Sequence, residues 1–159
     1  MRVLCALGAR DGAQLVRRAL TYLPRENCEL VLLFVIDEGP RHGLERLRGP
    51  LGRGPRLGPE RQAQIAAAEA RSGDEVLTEA GAAAAQAGVA ATTELIRGQS
   101  ERVIVERAQA VQADLIVVGA REGIREQLLP GPHSVGHVAR FVIDHASCDV
   151  LLVRSAYQS

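Results

Sequence analysis

Within a short stretch near the end of the chain stand His133, Ser134, His137 and Asp144, the residue types of a nucleophile, a general base and an orienting carboxylate. The spacing argues against that use. Asp144 falls two helical turns beyond His137, which separates the pair by about a dozen ångströms along a helix, too far for direct contact. Ser134 reads instead as the N-cap of the helix that follows, and the histidines as phosphate donors or surface residues. With no base and nucleophile brought together, an enzyme is not expected.

A second set of residues suits anion binding. Gly119, Gly123 and Gly136 flank a segment with cations at Arg121, Arg125, His133 and His137, and Arg10 stands in an earlier glycine-rich loop. Glycines let backbone N–H groups approach phosphate oxygens, and a helix N-terminus favours negative charge. The chain contains no lysine, which excludes the phosphate loop ending in Gly-Lys-Ser/Thr, and the dinucleotide fingerprint G-x-G-x-x-G is absent. Cys5, Cys28 and Cys148 are widely spaced, in or beside apolar runs, and imply neither a disulfide framework nor a zinc site; they read as core thiols in a reducing, cytoplasmic setting.

The elements that must position these residues follow from the hydrophobic pattern. Val3 to Leu7, Leu30 to Ile36, Leu115 to Val118 and Val150 to Val153 are continuous apolar runs of the kind that parallel strands buried on both faces produce, and Val89 to Ile96 is a weaker fifth. Between them lie segments of helical period. The first opens at Asp11, with Gln14 at capping-box spacing, and aligns Ala13, Val16, Leu20 and Leu23. A long Ala-rich helix covers about 60–87, with a stutter at Ser72-Gly73-Asp74. A third starts at Ser100 with Ile104, Ala108 and Val111 inward, and a fourth spans about 134–145 with Val138, Phe141 and Val142 inward. Strand and helix alternating in this way imply right-handed crossovers and a doubly wound parallel sheet with helices on both faces.

Residues 39–59 break the pattern: their glycines, prolines and arginines predict a flexible loop, basic in character, within a single domain over 1–159. Nineteen basic and nineteen acidic residues cancel to a formal charge of zero, which gives no global pull toward nucleic acid or membrane. No apolar run is long enough for a membrane-spanning helix.

The run from Glu29 to Asp37, then Ile96-Arg97-Gly98, the run from Ala113 to Gly119, and above all the closing run from Gly136 to Arg154 resemble the universal stress proteins. The resemblance implies an adenine-nucleotide alpha-hydrolase-like α/β fold with five parallel strands in the order 3-2-1-4-5. It also implies a function in the stress response, through binding or signalling, with ATP or AMP as the possible ligand. Ligands of open α/β sheets bind beyond the carboxyl ends of the strands where the order reverses. The implied nucleotide-binding residues are Ala6, Leu7, Gly8, Val35, Val118, Gly119, Arg121, Glu122, Gly136, His137 and Val138. The implied homodimer interface is the last strand, Val150, Leu151, Leu152 and Val153, with a further protein partner left open.

This chain departs from the pattern G-x2-G-x9-G-[ST] of nucleotide-binding members. Gly119 and Gly136 match its first and third glycines, but Glu122 stands at the second and His137 at the hydroxyl position, with an insertion containing Pro130-Gly131-Pro132 between them. Gly8 stands where those members place an acidic residue beside the adenosine. The expectation is therefore weak or absent ATP binding, with a nucleotide-binding regulatory protein as the alternative and a slow ATP hydrolase behind both.

Overall fold

The computed structural model describes residues 1–38, 58–120 and 135–154. The elements run β1 (Arg2–Leu7), α1 (Gly12–Ala19), β2 (Glu29–Asp37), α2 (Pro59–Gln86), β3 (Ala90–Gly98), α3 (Ser100–Ala110), β4 (Leu115–Gly119), α4 (His137–His145) and β5 (Asp149–Val153). The strands form one parallel sheet in the order β3-β2-β1-β4-β5, with β1 between β2 and β4. Every expected strand is present, each within a residue or two of its expected bounds.

Strand side chains alternate between the faces, and this alternation divides the core in two. On one face Val3, Cys5, Leu7, Leu30, Leu32, Phe34 and Val117 pack with Leu15, Val16 and Ala19 of α1 and Leu77, Ala80 and Ala84 of α2. On the other, Leu4, Ala6, Val31, Leu33 and Ile116 pack with Ile104, Val105 and Ala108 of α3 and Val142 of α4. Burial on both faces explains why the central strands carry no polar alternation.

The helices correct several expectations. Asp11 is the N-cap residue of α1, but its side chain makes no capping hydrogen bond, so the capping box with Gln14 does not form. The helix ends at Ala19, and Leu20 and Leu23 reach the core from beyond it. α2 is continuous through Ser72-Gly73-Asp74 rather than weakened there. A Cβ on Gly73 would fall 2.6 Å from Leu95 Cδ1 and 2.9 Å from Phe34 Cδ1, so the glycine lies where helix and sheet approach closely. α4 begins at His137 with Gly136 in the N-cap position at φ 88°, which displaces the expected Ser134 cap; Ser134 itself lies outside the described residues. The expected loop over 39–59 also lies outside them, apart from Gly58 and Pro59, which start α2. Among the described residues no helix is long and apolar enough to cross a membrane.

Candidate functional site

The order reverses between β1 and β4, so the crevice beyond Leu7 and Gly119 is where the fold leaves room for a ligand. In register, Ala6 lies beside Leu33 on one side and Val118 on the other. Val35 stands two residues beyond Leu33 on the same face of β2. Ala6, Val35 and Val118 therefore share the α3/α4 face at the carboxyl end of the sheet: Ala6 and Val118 are 8% and 4% exposed, and Val35 is half-buried. Leu7 points to the opposite face, into the core with α1, and cannot line the same wall.

Gly8, exposed at the β1 exit, was expected to leave the site without a carboxylate. A carboxylate from another residue lies close by: the Cβ position of Gly8 lies 2.9 Å from Asp11 Oδ1, so the half-buried Asp11 side chain folds back over Gly8. Sequence reasoning assigned Asp11 to capping and missed this, because only the path of the loop brings residue 11 over residue 8.

At the other end of the crevice, Gly119 is paired with Val153 and Gly136 precedes α4, both half-buried. His137 and Val138 form the first turn of α4, Val138 packed against the core and His137 largely exposed. His137 Nε2 lies 3.5 Å from Glu101 Oε1, in the first turn of α3, and the Glu101 side chain is 19% exposed. The residue at the expected hydroxyl position thus has a carboxylate for a neighbour, which sequence spacing does not reveal. Arg121, Glu122, Arg125 and His133 lie outside the described residues.

His145 is the basic residue in the last turn of α4: its Nδ1 donates to the Phe141 carbonyl at 2.9 Å, and its ring stacks on Phe141 with centroids 4.0 Å apart. Cys5 and Cys28 are buried and Cys148 half-buried, all three as free thiols. Burial pushes the Cys5 thiol up to about 12, with Cys28 adding to the shift. Among the described residues no group of three or more His, Cys, Asp or Glu side chains is arranged to hold a metal ion.

A cavity of about 410 Å³ opens at the opposite end of the sheet, lined by Met1, Arg2, Asn27, Glu29, Gln112 and Asp114 among others. Its polar groups hold the chain together there. The Arg2 backbone N–H donates to Asp114 Oδ2 at 2.7 Å, and its guanidinium donates to the Val111 carbonyl at 2.8 Å and to Glu29 Oε2 at 3.3 Å. That end closes strand termini.

The comparisons agree with the fold. No curated protein sequence matches the chain. Universal stress protein UspA from Lactobacillus plantarum is similar in structure, with a TM-score of 0.67 and 25% identity over 97% of each chain. A universal stress protein family protein from Arabidopsis thaliana, solved with AMP bound, gives 0.63 and 16% over 99% of this chain and 93% of that one. The universal stress protein from Archaeoglobus fulgidus, in complex with dAMP, gives 0.59 and 19% over 96% of each. The model of the universal stress protein family matches residues 1–154, and the chain belongs to that family.

Proposed function

We propose that this protein is a binding and signalling member of its family that acts in the stress response through partners. It holds an adenine nucleotide loosely at the β1–β4 switch point, and ATP only weakly. The observation that carries the reading is the Asp11 carboxylate folded back over Gly8 at the β1 exit, two residues past Ala6 at the carboxyl end of the sheet. A carboxylate accepts hydrogen bonds from ribose hydroxyls or an exocyclic amine, and the apolar wall of Ala6, Val35 and Val118 gives a base a surface to lie on. Gly119 and Gly136 leave the backbone open to a phosphate. The AMP and dAMP complexes of two structural relatives support the same ligand class.

ATP is disfavoured by identity: His137 replaces a hydroxyl, and Glu122 replaces a glycine in the matched pattern. The strand β5 lies at the sheet edge and carries Val150, Leu151 and Leu152, each half-buried, which supports a homodimer formed edge to edge. Three free thiols support a reducing, cytoplasmic setting.

Calorimetry with AMP tests the binding. The wild type is expected to bind with a dissociation constant of roughly high-micromolar order. Asp11→Ala weakens it about tenfold, as expected for one charge-assisted contact. Gly8→Asp in the Asp11→Ala background restores it, because the carboxylate returns from the neighbouring position. Unchanged affinity in Asp11→Ala would remove Asp11 from the site. A wild type that takes up neither AMP nor adenosine would leave a module working through partners alone.

A further inference from the structure

β3 is one edge of the sheet, and its nine residues, Ala90–Gly98, run in unbroken register with β2. The Glu38 N–H donates to the Gly98 carbonyl at 3.0 Å, so Gly98 turns its backbone groups toward β2. The N–H and C=O of one residue point the same way and successive residues alternate, so Ala91, Thr93, Leu95 and Arg97 turn theirs to the open edge. Among the described residues no strand pairs with them there. Edges of this length are ordinarily blunted by proline, a bulge or a charged side chain. β3 has neither proline nor bulge, and its two charges are drawn back onto the helices. On the α3 face Glu94 accepts two N–H groups of Arg107, at 2.5 and 2.6 Å; on the α2 face Arg97 donates to the Ala66 carbonyl at 3.0 Å and stands 3.6 Å from Glu69 Oε2.

The helix flank beside this edge is acidic. Gly73 of α2 faces Phe34 and Leu95 of the sheet, and Val76 faces Gly12 of α1. Asp74 and Thr78 stand across the helix from Val76, and so lie on the flank away from α1, on the β3 side. With Arg71, Glu75 and Glu79, all exposed, they line a cavity of about 410 Å³ in which three carboxylates face one guanidinium. We propose that the β3 edge is a docking surface for a partner protein, which adds an extended, basic segment as a further strand. Backbone pairing at Ala91, Thr93, Leu95 and Arg97 holds the segment, its basic side chains lie on the α2 face toward Asp74, Glu75 and Glu79, and its apolar ones lie beside Thr92 and Ile96 on the α3 face. This rests on the reading that the protein acts through partners, and names where one of them docks.

Calorimetry and amide hydrogen exchange test it with a probe peptide of about eight residues alternating Arg and Val, and a control alternating Glu and Val. The Arg peptide is expected to bind the wild type with a dissociation constant of roughly high-micromolar order and to slow exchange at Ala91, Thr93, Leu95 and Arg97, whereas the Glu peptide binds at least about tenfold more weakly. Thr93→Pro removes an outward donor without breaking a bond to β2, and is expected to weaken the Arg peptide at least about tenfold while keeping a cooperative urea transition. Asp74→Asn with Glu79→Gln, both on the surface, is expected to weaken it about threefold or more and to flatten its salt dependence. Wild type that does not bind the Arg peptide, or binding without slowed exchange at the four amides, overturns the proposal whether or not Thr93→Pro folds; so does equal affinity for the two peptides. The reading that the protein acts through partners then stands without this surface. Amides already protected in the free protein overturn it as well: the edge is then covered by the chain itself, or by a second copy if dilution releases the protection.

Discussion

Asp11 and Gly8 are coupled through space: any side chain at residue 8 must displace the Asp11 carboxylate, whose Oδ1 lies 2.9 Å from where the Cβ would stand. The displaced group is the far end of a short, half-buried side chain at the start of α1, which can turn aside without moving the backbone. Gly8→Ala is therefore expected to change folding stability by less than about 0.5 kcal/mol, the usual range for surface changes. The same substitution is expected to weaken AMP binding as far as Asp11→Ala does, because it moves the same carboxylate. Urea titration and calorimetry on one preparation check both. A Gly8→Ala protein with wild-type affinity would mean that the position of the carboxylate does not matter.

Two glycines of α2 carry opposite expectations. At Gly81 a Cβ meets nothing within 4 Å, so Gly81→Ala is expected to stabilise the protein by about 0.5–1 kcal/mol through helix propensity and a less flexible unfolded chain. At Gly73 the same methyl would press on Leu95 and Phe34, both packed in the core. Overpacking of this kind costs about 1–3 kcal/mol, more than the propensity gain, so Gly73→Ala is expected to destabilise. Denaturation midpoints for the pair decide it: equal shifts of the same sign would show that α2 slides to relieve the contact.

The contrast at Gly73 shows which parts of the molecule the sequence disclosed. The central strands, buried on both faces, are written as apolar runs because burial leaves little choice of residue type, whereas the edge strand β3, with Thr92, Thr93 and Glu94 and no fully buried residue, gave the weakest signal. The Ser72-Gly73-Asp74 stretch looked like a break because propensity treats glycine as weak; tertiary packing overrode it, since only a glycine lets α2 approach Phe34. The candidate site was half legible. Ala6, Val35 and Val118 followed from the strand pattern and its resemblance, whereas Asp11 and Glu101 did not. Both are placed by loop geometry and by the packing of α3 against α4, which no spacing rule encodes. Leu7 sends its side chain to the other face from Ala6, because one residue along a strand reverses the face.

The edge strand β5 leads to a prediction about assembly. Val150 packs on the core under α3 and α4 and Leu151 on the core under α1 and α2, while Leu152 is half-exposed and belongs to neither cluster. Leu152→Asp is therefore expected to break a homodimer with little loss of stability, whereas Leu151→Asp also damages the fold. Sedimentation at micromolar concentration checks this: wild type as dimer and Leu152→Asp as monomer are the expected pair. A monomeric wild type would refute pairing through β5.

The Cys5 thiol makes the stability of the protein depend on alkaline pH. It is fully buried on the central strand between Leu32 and Val117. Burial, with Cys28 adding to it, pushes its pKa up from 9.0 to about 12. In the unfolded chain the thiol ionises near its ordinary value, and in the folded protein it stays neutral until far higher pH. The stabilisation it contributes is thus fully present below about pH 9 and is lost as pH rises from there toward about 12. Between about pH 8 and pH 10 the loss assigned to this one group is roughly 1.4 kcal/mol, the free energy of one pKa unit. Burial also raises the Cys28 and Cys148 thiols, so the wild-type curve alone does not isolate Cys5. Cys5→Ala does. The variant is less stable at neutral pH because it removes a buried sulfur, but its stability is expected to fall by about 1.4 kcal/mol less than that of the wild type across the same interval. Parallel curves for the two proteins would show that the thiol ionises in the native state near its ordinary pKa, and that water reaches the centre of the sheet.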